Sequence, residues 1–263
     1  MANAVAWACL PPGSSSRWHA QRLGVIRLLA AHLHGSADES AELIPTGLIP
    51  HRIIRSAPYL YRPQQIGSLI AQADTLLPLL RGHTLATVIA LMAATGMRTA
   101  EALALNTADI DTGDATIAVI GKGGRHRILP VHHTTITALS AYIASRDSAV
   151  TSRGDALFAN PAGSRPVANT LQQDFRRVAT VCDLPPALGQ RQPPLHDLRH
   201  TFAVNTLLDA HRSGSSVNDR IDALATYLGH SSPIHTYWYL SASPELLQIV
   251  SDRIESQGQG NRS

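Results

Sequence analysis

The chain is poor in several of the residues that mark out classes of protein. It has two cysteines, Cys9 and Cys182, in 263 residues. They are too few for a disulfide framework and lack the spacing of a metal knuckle, which excludes stapled secreted scaffolds and zinc ribbons and points to a reducing interior. No apolar run approaches the roughly 20 residues needed to span a bilayer. The N-terminus has no charged segment followed by an apolar stretch and a cleavage site, so a cytoplasmic protein without a membrane partner is expected. Charge of either sign is scarce as an excess, at +3 overall with 13 histidines counted neutral, a balance that permits nucleic-acid binding without demanding it. There is no internal repeat, and low complexity is confined to the polar tail 257–263.

Lysine is the most informative scarcity. Lys122 is the only lysine among 22 Lys and Arg residues. A position that keeps lysine where arginine serves everywhere else suggests a task arginine performs badly, such as giving up a proton: a lysine pKa moves with its surroundings, whereas a guanidinium is always protonated. A rare residue placed in a common hairpin turn is the plainer explanation, and the residue alone does not choose between them.

Periodicity gives a mainly α chain with a small antiparallel β-sheet. A helix is expected over 16–33, with Leu23, Ile26 and Leu29 or Ala30 in period, after the breaker Pro11-Pro12-Gly13-Ser14, and 2–10 reads as the tail of an earlier helix. Periodicity fades over 35–58, where Pro45, Pro50 and Pro58 read as a linker, so the domains are set at 1–57 and 58–263. Further helices are expected from 63 to about 79, 83–95 stopped by Gly96, 99–105, 134–145, 169–182, 196–209, 217–228 and 233–240. A last one begins with Ser243 as cap and Pro244 in the first turn, with Leu246, Ile249, Val250 and Ile254 as its stripe. Between them, 116–120 and 125–131 favour strands joined by Gly121-Lys122-Gly123-Gly124, a hairpin with Lys122 at its tip. That glycine run is no P-loop, because the remaining motif is absent and the strand leads to a strand.

The residues that could handle a phosphodiester cluster late in the chain. His196 and Arg199 are three apart and share one helix face beside the anchoring stripe Leu195, Leu198 and Phe202. His230 follows Gly229 at a helix end, where a cation is favourable in any case. Tyr227, Tyr237 and Tyr239 lie nearby, and Tyr237 and Tyr239 point to different sides of a helix, so at most one of these two enters a common cleft. Upstream, Arg98 and Glu101 are again three apart: the acid either holds the arginine in place or forms an ordinary surface ion pair of small value. Forked cations, a hydroxyl nucleophile and a proton source are what phosphodiester cleavage with a retained intermediate requires.

In this order, Thr95-Gly-Met-Arg98-Thr-Ala-Glu101, Gly-Lys122-Gly, Leu195-His-Asp-Leu-Arg-His200, Leu228-Gly-His230-Ser and a tyrosine nine residues after His230 resemble the signature of the tyrosine recombinase, or phage integrase, family over about 59–255. The spacing in that family selects Tyr239. The resemblance implies a site-specific recombinase that cleaves and rejoins double-stranded DNA through a 3′-phosphotyrosine. Catalytic Tyr239, Arg98, Lys122, His196, Arg199 and His230 would be supported by Glu101, with no cofactor and no metal. It also implies a catalytic domain preceded by a helical core-binding segment that closes a clamp on DNA, and four copies exchanging C-terminal segments in a ring. Here residues 1–57 leave room for one complete helix and part of another, so a shortened clamp is expected.

Three other readings compete. A metallohydrolase is suggested by His196 and His200 at i, i+4, but it lacks the acid after the first histidine and an evident third ligand. A DNA-binding regulator descended from a recombinase would not need the complete catalytic set. A type IB topoisomerase-like relaxation of DNA would use the same chemistry in a single subunit.

Overall fold

A computed structural model describes residues 2–36, 40–50, 57–121, 123–151, 154–185, 192–230, 236 and 239. The chain divides into two compact units, Met1–Ser56 and Ala57–Ser263. Lys122, the expected helix from Ser243 and all of 233–240 except Thr236 and Tyr239 lie outside the described residues.

The first unit holds α1 (Ala2–Ala8) and α2 (Ser16–Ser36). Leu23 meets Ala8 and Ile44, with Ile26, Ala30 and Ile49 against them. Of the two candidates for the inward position after Ile26, Ala30 takes it, and Leu29 is 55 % exposed. The stretch expected to be only a linker contributes Ile44 and Ile49 to this core, and Arg27 Nε fastens it by donating to the Ile44 carbonyl at 3.1 Å.

In the second unit α3 (Pro63–Asp74) and α4 (Leu79–Thr95) replace the expected break near 79–83. Pro78 at the N-cap of α4 starts that helix four residues early, since a proline is tolerated at a helix entrance and cannot continue one from within. Helix α4 buries Leu85, Val88, Ile89, Leu91 and Met92 around more than one face, the pattern of a central helix rather than a surface one. It packs on α3, on α6 (His133–Ala149), on α7 (Ala168–Val181) and on α8 (Asp197–Arg212). Helix α5 (Thr99–Ala104) follows it directly, and α9 (Val217–Leu228) packs on α8, adding Ile221, Leu224 and Leu228 to Val204, Leu207 and Tyr239 in a second cluster.

The sheet is antiparallel in the order β1 (Ile110–Asp111), β2 (Thr116–Ile120), β3 (His126–Pro130). Strand β1, two residues long, is too short to show a period and was not expected. Ile117, Val119 and Leu129 turn one face of the hairpin into the core, while Ile120 and Ile128 stay exposed. Ile117 pairs with Leu129 and Val119 with Arg127, so Arg127 also lies on the inward face. The turn closes with the Gly121 N–H on the Arg125 carbonyl at 2.7 Å. No helix among the described residues is long and apolar enough to cross a membrane.

Candidate active site

Helix α4 ends at Gly96 with φ 62°, a left-handed turn that a side chain resists, and a Cβ there would stand 2.5 Å from Phe202 and 2.9 Å from Leu228. This glycine therefore lets the end of α4 press against α8 and α9, and it delivers Arg98 to the start of α5. Glu101 closes that start: Oε2 accepts from the Arg98 N–H at 2.9 Å and Oε1 from Arg98 Nη1 at 2.8 Å. The Arg98 side chain keeps 34 % exposure, so part of its fork faces outward. Burial by itself would raise the Glu101 carboxyl, but hydrogen bonds from Arg127 and from Arg98, with the Arg127 charge, hold it at about 2. Glu101 is thus an anion clasped by two guanidiniums rather than a surface ion pair.

Leu195 and Leu198 are buried and set the start of α8, so Arg199 points inward and is 2 % exposed. Its Nη1 donates to the Gly96 carbonyl at 2.8 Å and its Nη2 to the Leu228 carbonyl at 2.9 Å. Both acceptors lie at helix C-terminal ends, where the dipole is negative and a cation is stabilised. Burial first, and then the neighbouring Arg98, push the Arg199 pKa down, yet a guanidinium stays protonated in any protein. The same Nη2 lies 2.9 Å from His230 Nε2. Because a guanidinium can only donate, His230 Nε2 is the acceptor, its proton sits on Nδ1, and Nδ1 donates to Thr236 Oγ1 at 2.7 Å. Gly229, with φ 66°, makes the tight turn that brings His230 back to this point.

Tyr239 is 2 % exposed, and its phenol hydrogen-bonds Arg199. Its ring lies nearly parallel to that of His230 with centroids 6.0 Å apart, and 5.4 Å from that of His200, which meets His196 edge to face at 5.1 Å. Burial, then Arg199 and Arg98, lower the His196 pKa, so its ring is neutral and able to accept a proton. Burial, then His196, Arg199 and His230, bring His200 down to about 3. The 3.8 Å approach of His200 Nε2 to Asp197 Oδ1 is accordingly not an ion pair, and Asp197 itself is raised to about 6 by burial.

Five of the six residues expected to act are described, and the structure gathers them. Arg199, His230 and Tyr239 are in direct contact, His196 is next to them through His200, and Arg98 is close enough to act on both Arg199 and His196. The sequence reading missed Arg127, His200 as a neighbour of Tyr239, and Thr236. Arg127 was detectable by parity, as a cation two residues before the inward Leu129. Among the described residues no group of three or more His, Cys, Asp or Glu could hold a metal ion, so His196 and His200 have no third ligand there.

His200 gives a pH signature. Its folded pKa of about 3 lies below the ordinary value near 6.5. The unfolded chain therefore binds a proton first, and stability falls as pH drops from about 6.5 toward the folded value, by up to about 1.4 kcal/mol per pH unit. Asp197, raised instead of lowered, works in the opposite sense but is common to parent and variant, as are His196, His230 and Arg199. We expect His200→Asn to lose less stability than the parent between pH 7 and pH 5 in urea melts, and equal losses would contradict the buried neutral ring.

The sequence model of the phage integrase family matches residues 61–245. The chain belongs to the phage integrase family. As such it is a tyrosine-type DNA recombinase, and its relatives agree. It is 33 % identical to a putative integrase/recombinase, y4rB, of Sinorhizobium fredii (strain NBRC 101917 / NGR234), over 96 % of this chain and 82 % of that protein. It is 31 % identical to the tyrosine recombinase XerC of Roseiflexus sp. (strain RS-1), over 84 % of this chain and 66 % of that one. Among solved structures, XerH site-specific recombinase bound to palindromic difH substrate in a post-cleavage complex shares the fold, with a TM-score of 0.68 at 19 % identity over 97 % of this chain and 72 % of that one. The Tn1549 transposon integrase in complex with transposon right end DNA does so as well, with a TM-score of 0.66 at 16 % identity over 97 % and 85 %.

Proposed function

We propose that this phage integrase family member binds double-stranded DNA and cleaves and rejoins its strands through Tyr239. The observation that carries the reading is the shared guanidinium: Arg199 holds Tyr239 and His230 on one buried fork, with Arg98 beside it. The Tn1549 integrase is described in complex with transposon right end DNA, which supports the same partner here.

In the proposed reaction the Tyr239 oxygen attacks the phosphorus, the bond to the 5′-oxygen breaks, and the strand is kept as a 3′-phosphotyrosine. The outward part of the Arg98 fork binds the non-bridging oxygens as negative charge grows there, a stabilisation by preset donors that Arg199 joins by turning a donor from His230 to the phosphate. The phenol proton passes to neutral His196, help worth about 10²–10⁴-fold for a positioned base. An arriving phosphate draws Arg199 off His230 Nε2 and favours the doubly protonated ring, which then donates to a phosphate oxygen. Lys122 gives its proton to the departing 5′-oxygen. In the reverse step a 5′-hydroxyl attacks the phosphotyrosine, so resealing needs no external energy source and no cofactor takes part.

The unit Met1–Ser56 would serve as part of the clamp on DNA, ahead of the catalytic unit. Four copies would assemble on the DNA, with the apolar stripe Leu246, Ile249, Val250 and Ile254 as the segment exchanged between neighbours; the amphipathic sequence supports this.

The test is incubation with a nicked duplex whose short cleaved fragment diffuses away, in excess chelator. We expect protein-linked DNA and a released fragment with a 5′-hydroxyl. Chelator-sensitive hydrolysis, or binding without any linked product, would overturn the reading.

A further inference from the structure

Arg127 has no task in the cleavage proposed above, yet all three of its guanidinium nitrogens are engaged. Its side chain points inward from β3 and is 13 % exposed. Nη2 donates to Glu101 Oε2 at 2.8 Å, Nη1 to Glu101 Oε1 at 3.2 Å, and Nε to the Tyr227 carbonyl at 3.0 Å. The guanidinium also lies against bare backbone. A Cβ on Gly229 would stand 2.9 Å from Nη1 and 3.2 Å from Cζ, and one on Gly121 would stand 3.2 Å from Nη1.

One planar group therefore ties together three segments far apart in sequence: the first turn of α5, the end of α9 and the foot of the β2–β3 turn. Each adjoins a residue of the proposed machinery. Glu101 holds Arg98, Gly229 precedes His230, and Gly121 precedes Lys122 in the sequence. Charge adds a second function to this geometry. Glu101 lies between two guanidiniums, and with Arg127 absent its whole negative charge would fall to Arg98 and draw that fork away from a phosphate.

We propose that Arg127 is a positioning residue for strand cleavage: it keeps the first turn of α5, Gly121 and Gly229 in mutual alignment and balances Glu101 so that Arg98 stays available. The inference rests on the reading of the site as a strand-cleaving one. Touching no reacting atom, Arg127 should act on the rate of the bound complex and not on DNA affinity. Lysine supplies the charge but not the fork that spans a carboxylate and a carbonyl together.

The experiment compares parent, Arg127→Ala and Arg127→Lys in single-turnover cleavage of the nicked duplex over a range of DNA concentrations, with the folded fraction of each set by urea melts. We expect Arg127→Ala to cleave about 10- to 100-fold more slowly per folded molecule at saturating DNA, the scale of a small misplacement at a reacting centre. The half-saturating DNA concentration should be unchanged, and Arg127→Lys should recover part of the rate. A merely structural role would lower the folded fraction and leave the rate per folded molecule at the parental value. That result, in Arg127→Ala or, if it does not fold, in Arg127→Lys, overturns the inference, as does a defect confined to DNA affinity. If the parent itself links to no DNA, the proposed function fails and the inference falls with it; a parent that cleaves beside variants cleaving equally fast removes the inference alone.

Discussion

Replacing Arg199 with alanine should lower strand cleavage on the order of 10³-fold, the scale seen when a preset donor or arginine is taken from a transition state that gathers negative charge. The same change should weaken the fold. Arg199 is the shared donor to the Gly96 carbonyl, the Leu228 carbonyl and His230 Nε2, and a buried acceptor left without its partner costs roughly 1–3 kcal/mol. Arg199→Lys separates the two effects. Its ammonium keeps the charge but cannot reach two helix ends and an imidazole at once, so it should retain more of the stability while still losing about 10²-fold in cleavage. Urea midpoints and single-turnover rates on the nicked duplex measure both. Parental cleavage by the lysine variant would mean that the fork is irrelevant and that a point charge suffices.

What the sequence revealed and what it hid follow from the range of the interactions involved. Helix α9 is expected at its observed bounds, and the structure shows that both ends are set locally, by the Ser216 side chain accepting from the Asp219 N–H and by Gly229 in a left-handed turn. The start of α4 was misplaced because its entrance at Pro78 sits within a run of leucines whose period changes little across the break. The pairing of His196 with Arg199 was legible, since i, i+3 spacing on a helix fixes a common face. Their convergence with Tyr239 and His230 was not carried by any local pattern: it depends on Arg199 reaching carbonyls 103 and 29 residues away. Spacing borrowed from a family resemblance supplied that knowledge instead. Glu101 shows the limit of reading pairs. Its i, i+3 relation to Arg98 is visible in the sequence, but the second guanidinium that makes it a clasped, buried anion comes from β3, 26 residues on. His200 is legible in the sequence as part of the Leu195–His200 motif and as a possible metal ligand, but not as a neighbour of Tyr239, because that place is set by the packing of α8 against the cluster that contains both α9 and Tyr239.

The second large effect concerns Tyr239. Phenylalanine fits the same space between the His200 and His230 rings, so Tyr239→Phe should fold, bind DNA with parental affinity and form no covalent complex. Loss should be complete within detection, because no other group can replace an attacking oxygen that becomes part of the intermediate. The companion measurement on the parent decides the central claim: trap it on the nicked duplex, digest the protein, and locate the DNA-bearing peptide by mass spectrometry. The account predicts a single attachment, to the oxygen of Tyr239 through a 3′-phosphate. Attachment at another residue, or an undiminished covalent complex from Tyr239→Phe, would contradict it.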